Sequence, residues 1–271
     1  MAKRIITAVI WLPIAILLLG FAPVWIVALT TSLIACLGAY ELLWATGFIK
    51  KKRLCAYACI FAALLPIWTY LSGEVYVLLA SILILTAICF LDGMLHHAEI
   101  SFEMVSGVLF GAIIVPCFLS AFLRMEMETG SRVMLFLPLL YSFCSDAGGY
   151  FAGYFFGKHK LAPKLSPKKT IEGSIGAIVF AAIGGFIFAY VTASFFDMTP
   201  NYLALTLLGI PLSITAQFGD LVFSYIKRGF GIKDYGKIFA GHGGVLDRFD
   251  SVMFVAPTLE LLLCFITIYN F

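Results

Sequence analysis

Charge is scarce in this chain: Asp, Glu, Lys and Arg make up 12% of its 271 residues, about half the share of an average soluble domain, which excludes a water-soluble globule. Cysteine is present but unpatterned. The seven cysteines (36, 55, 59, 89, 117, 144 and 264) are odd in number and form no CxxC pair or Cys/His cluster, so neither a disulfide framework nor a zinc site is implied. No GxxxxGK[ST] motif occurs, which removes the P-loop NTPases. No internal repeat, low-complexity stretch or linker divides the chain. Mirrored halves with interrupted helices, a mark of many secondary transporters, are lacking as well.

What the chain has in abundance is apolar surface: 62% hydrophobic residues, 26 Phe and a mean hydropathy of +1.03. A membrane span needs about 20 apolar residues, and nine such stretches can be drawn, at 5–21, 23–46, 54–72, 75–91, 104–123, 133–156, 174–196, 202–226 and 252–269. They predict an all-α, polytopic integral membrane protein of about nine transmembrane helices, with no room for a separate soluble domain. Residues 1–130, about five spans, read as a helical scaffold; residues 131–271 hold most of the polar material, with polar loops at 157–173 and 227–250. Met1 to Arg4 and the run after them have the layout of a signal peptide, but eight further spans make an uncleaved first helix the simpler reading. If the spans alternate, sixteen of the eighteen Lys and Arg residues fall on one side. The positive-inside rule then puts the amino terminus and both long loops in the cytoplasm, and Phe271 outside.

Ionisable side chains inside spans are costly and are functional candidates by default. Four qualify: Glu41, Asp146, Asp220 and Glu260. Ser213, Gln217, Asp220 and Ser224 recur at helical spacing, so one face of a helix is a polar stripe leading to Lys227. Interhelical hydrogen bonding accounts for the neutral members but leaves the Asp220 charge unbalanced. Asp146 lies beside Gly149, Gly153 and Gly157, a repeated GxxxG that suits close helix packing. Glu41 and Glu260 have no such polar company and read as bundle or interface residues.

The loop 157–173 carries Lys158, Lys164, Ser166, Lys168, Lys169 and Thr170, point charges and hydroxyls on a proline-restricted backbone that suits phosphate; a generic basic membrane-surface loop would look similar. The second loop contains Gly243 and Gly244, which would open a helix whose free amides attract an anion. Asp247 and Asp250 follow, one turn apart. Two carboxylates beside a phosphate would repel it unless a hard divalent cation lies between them, and Mg²⁺ fits best.

Ser224-x-x-Lys227-Arg228-x4-Lys233-Asp234-x-Gly236, followed by His242-Gly243-Gly244-x-x-Asp247-Arg248-x-Asp250, resembles the signature of the phosphatidate cytidylyltransferases. The Ser145-Asp146 segment, Phe156 to Leu161 and Ser166 to Thr170 are similar to that family's other polar segments, and only Ala240, where Pro or Gly is usual, departs from the pattern. The resemblance implies transfer of CMP from CTP to phosphatidate, giving CDP-diacylglycerol and pyrophosphate at the cytoplasmic membrane. It implies Mg²⁺, with room for a second cation, on Asp220 and Asp247 with Asp146 or Asp250. Lys227, Arg228 and Arg248 would face phosphates, the loop from Lys158 to Thr170 would hold the triphosphate, and His242 would either donate a proton or hydrogen bond to the leaving pyrophosphate or fix the turn. The expected partners are CTP, phosphatidate and the lipid bilayer, with no nucleic acid. The glycine-rich face of the sixth helix suits lipid access or a homodimer. Two other classes remain to be separated by experiment: another CTP-dependent membrane lipid enzyme such as a lipid kinase, and a cation-coupled transporter using Asp146 and Asp220.

Overall fold

In hydrocarbon no water can satisfy a peptide group, so an apolar run must close its hydrogen bonds within its own helix. The computed structural model describes residues 13–196, 198–236 and 243–269, most of them helical. Among the described residues six helices are long and apolar enough to cross a membrane: Val24–Ala45, Lys52–Ser72, Tyr76–Leu95, Phe102–Thr129, Ile171–Phe195 and Tyr202–Gly229. Val133–Phe156, at 24 residues, is long enough too, but Ser142, Ser145, Asp146 and its glycines dilute its hydropathy. The expected last span, 252–269, is helical only over Val252–Leu263, and Tyr269 makes an antiparallel bridge to Pro200 instead. The expected first span lies partly outside the described residues; 13–21 is helical.

Backbone contacts divide the chain into two compact units. The first comprises the described residues through Arg132 together with Phe230–Phe249, and the second comprises Val133–Gly229 with the segment from Asp250 onward. The polar loop 227–250 is therefore shared between them.

In the first unit, α1 (13–21) precedes α2 (Val24–Tyr40), which ends in a π-helical turn, Glu41–Ala45. Then come α3 (Lys52–Ser72), α4 (Val75–Leu95), α5 (Phe102–Leu109), a second π turn at Phe110–Ile114, α6 (Val115–Leu119) and α7 (Ala121–Thr129). Small residues on α2 (Ala28, Ser32, Ala35, Ala39) and α3 (Ala58, Ala62) are buried, which lets the two helices approach closely. Leu83 and Leu95 of α4 stand 70% and 79% exposed, apolar side chains suited to lipid tails rather than to water.

The second unit contains α8 (Val133–Phe156), an antiparallel hairpin of β1 (Lys160–Ala162) and β2 (Ser166–Thr170), α9 (Ile171–Phe195), α10 (Tyr202–Gly229) and α12 (Val252–Leu263). Here the glycines set the spacing. A Cβ on Gly148 would come within 2.6 Å of the Gly176 carbonyl of α9, and one on Gly209 within 2.5 Å of the Ala182 amide. Gly148→Ala is therefore expected to lower stability by about 1–3 kcal/mol through overpacking, read as a lower thermal midpoint in detergent; an unchanged midpoint would mean that α8 and α9 can part without cost.

Candidate active site

The polar stripe on α10 divides by role. Ser213 Oγ lies 2.8 Å from Ser145 Oγ of α8, and Gln217 Nε2 donates to the Ser174 carbonyl of α9 at 3.4 Å. These neutral members tie helices together. Asp220 does something else: its Oδ2 lies 2.7 Å from Lys169 Nζ, and its Oδ1 accepts from Ser224 Oγ at 3.3 Å. Lys169 also donates to the Gln217 carbonyl at 3.3 Å, so β2 delivers one of its lysines onto the acidic helix face.

Asp250, half-buried, joins this group. Its Oδ1 accepts from its neighbour Ser251, by amide at 2.8 Å and hydroxyl at 3.3 Å. Desolvation first, then the charges of Asp220 and, less, Asp146, push its carboxyl up to about 7, while Lys227 and the Ser251 amide pull the other way. Lys227 is buried in the last turn of α10, where a cation also suits the helix end, and Arg228 is exposed. Asp146, Asp220, Asp250, Lys169 and Lys227 thus form one charged neighbourhood in the second unit. Among the described residues no three acidic, His or Cys side chains are placed so as to hold one metal ion together. The donor chemistry nonetheless suits a hard cation: carboxylate oxygens that repel one another, with an ammonium already seated against one of them.

The loop read as a phosphate strip is a hairpin, registered Lys160 with Thr170 and Ala162 with Ser166. Lys158, Lys164 and Lys168 are exposed, Ser166 and Lys169 half-buried and Thr170 buried. Thr170 caps α9, its Oγ1 accepting from the Gly173 amide at 3.1 Å. Glu172, which the sequence reading passed over, accepts from the Lys158 amide at 3.1 Å, the His159 amide at 3.2 Å and His159 Nδ1 at 2.7 Å. It pins the start of the hairpin. Its sequence signal was an acid in the first turn of a helix.

In the first unit, the segment before α11 (Leu246–Phe249) is organised by two carboxylates. Asp247 Oδ2 accepts from the Tyr235 amide at 2.8 Å and the Gly244 amide at 2.9 Å. The Gly244 N–H, expected to face a phosphate, is thus committed to Asp247. Gly243 has φ +85°, a conformation that favours glycine. Glu41 accepts from the Val245 and Leu246 amides, both at 2.9 Å, so this residue serves the loop as well as the bundle. Arg248 is exposed, and His242 lies outside the described residues.

The model of the cytidylyltransferase family matches residues 2–266. A phosphatidate cytidylyltransferase of Staphylococcus haemolyticus is 49% identical over 129 residues, 46% of this chain and 48% of that protein. One from Staphylococcus epidermidis is 48% identical over 134 residues, 49% and 50% of the two chains. The chain thus spans about half the length of these staphylococcal relatives. A phosphatidate cytidylyltransferase of Bacillus subtilis is 33% identical over 228 residues, 79% of this chain and 81% of that protein. With the family model matched almost from end to end, the chain belongs to the cytidylyltransferase family.

Proposed function

We propose that the chain is a phosphatidate cytidylyltransferase: an oxygen of the phosphatidate phosphate attacks the α-phosphorus of CTP, the bond to the β-phosphate breaks, and CDP-diacylglycerol and pyrophosphate form. The observation that carries this reading is the 2.7 Å contact of Lys169 with Asp220, because it joins the lysine-rich hairpin to the acidic helix face. The reacting phosphates carry roughly −2 and −4 charges, so bringing them together is mainly a matter of neutralisation and alignment. Lys169 and Lys227 supply positive charge beside the acids, and the exposed Lys158, Lys164 and Lys168 extend it outward along the hairpin. A lysine held by a carboxylate is also one that a phosphate can take over, since both are oxygen acceptors for the same ammonium. Asp220, with Asp146 or Asp250, would hold Mg²⁺. Bound there, the ion would neutralise phosphate charge and polarise the α-phosphoryl group.

The same reading places the chain in the cytoplasmic membrane with nine spans, its amino terminus and hairpin on the cytoplasmic side, where CTP is available. Support comes from the six long apolar helices and from the charge asymmetry of the loops. Purified protein given labelled CTP and Mg²⁺ with either phosphatidate or a polyprenol is expected to yield lipid-borne cytidine with phosphatidate alone; label on the polyprenol instead would reassign the acceptor. Replacing Lys168 and Lys169 together by Ala is expected to raise the KM for CTP about tenfold or more, from the loss of two charge-assisted contacts. An unchanged KM would return the hairpin to a role in topology.

A further inference from the structure

We propose that Glu41, at the end of α2, is a positioning residue of cytidylyl transfer, acting through the loop that carries Asp247 and Arg248. This rests on the function proposed above.

Glu41 is 1% exposed, and both of its oxygens are used, one on the Val245 amide and one on the Leu246 amide. A buried carboxylate is costly unless hydrogen-bonded, and two short amide donors are the kind of partner that holds it. The fit around it is exclusive. A Cβ on Gly236 or on Gly244 would collide with the Glu41 carboxylate, so both strands of the loop pass against this one side chain. Leu246 in turn packs over Gly38 of α2, where a Cβ would come to 3.1 Å from its Cδ2. The loop is therefore fastened to α2 by a polar pin and an apolar contact, and Asp247, the next residue, closes it from within through the Tyr235 and Gly244 amides. The pin also sits on a π-helical turn, a distortion frequent at functional sites, where the extra residue in the turn re-aims side chains.

The consequence is a division of labour. Glu41 is itself turned inward onto amides and reaches no substrate; what it sets is the direction of Asp247 and Arg248. Misdirecting Asp247 and Arg248 is expected to fall on the chemical step rather than on nucleotide capture.

The test compares wild type with Glu41→Gln and Glu41→Asp, purified in detergent, for kcat, KM for CTP and thermal midpoint. Gln keeps the shape but turns an NH₂ toward one of the two amides, and Asp keeps the charge but withdraws it by one methylene. The expected result is a kcat lowered roughly 10–100-fold in Glu41→Gln, as for other residues that orient a site from behind, with KM for CTP within about twofold and the midpoint retained. Glu41→Asp should recover part of the kcat. The proposal is overturned by a wild-type kcat in Glu41→Gln, by a loss that falls on KM alone, or by variants that lose activity only in proportion to lost folded protein. Wild-type protein that makes no lipid-borne cytidine would instead refute the proposed function, so the two failures are distinguishable.

Discussion

Asp220→Asn is expected to lower turnover about 100-fold or more while the protein still inserts, purifies and melts as wild type. Asn preserves the shape of the side chain and can still accept from Ser224, but it removes the charge that faces Lys169 at 2.7 Å. The two side chains are 23% and 30% exposed, so water screens the pair and its loss costs little folding free energy. The cost falls on chemistry. A neutral amide holds a divalent cation poorly, and Lys169 loses the acceptor that keeps it beside the acidic group. Steady-state turnover with CTP and phosphatidate, set beside size-exclusion profiles and melting curves, checks this. Near-normal turnover would remove Asp220 from the site.

At Asp247 two substitutions separate two roles. Its Oδ2 accepts two buried amides, from Tyr235 and Gly244. In Asp247→Asn the remaining carbonyl oxygen can keep both, so the loop should stay closed while the charge is gone, and turnover is expected to fall by ~100-fold or more. In Asp247→Ala both N–H groups lose their partner, at about 1–3 kcal/mol each, so stability should drop along with activity. Tryptic cleavage after the exposed Arg248 reports whether the loop has opened. An Asp247→Asn protein as active as wild type would make this carboxylate a brace of the loop and nothing more.

The helices were legible because hydrocarbon tolerates few alternatives to them. The stretches read at 23–46, 54–72 and 202–226 reappear as Val24–Ala45, Lys52–Ser72 and Tyr202–Gly229. The stripe Ser213, Gln217, Asp220, Ser224 was legible too, because helical spacing brings its members together before any tertiary contact forms. The hairpin at 160–170 was not. Its strands have three and five residues, rich in Lys, Ser and Pro, too short and too polar to show an alternating pattern. The work of Glu41 was hidden for another reason. Its partners are backbone amides 204 and 205 residues away, and a peptide N–H leaves no mark on composition. Gly236 and Gly244 did carry a trace, since glycine leaves room for a carboxylate that any Cβ would displace, but in sequence alone they read as turn residues.

The most direct test follows the two ends of the nucleotide separately. CTP labelled at the α-phosphate in one sample and at the γ-phosphate in another is given to the protein with phosphatidate and Mg²⁺. The account predicts α-label in the organic phase as CDP-diacylglycerol and γ-label in pyrophosphate, in equal amounts. Transfer of the γ-label to lipid, with the α-label left in a soluble nucleotide, would contradict it and make the chain a lipid kinase.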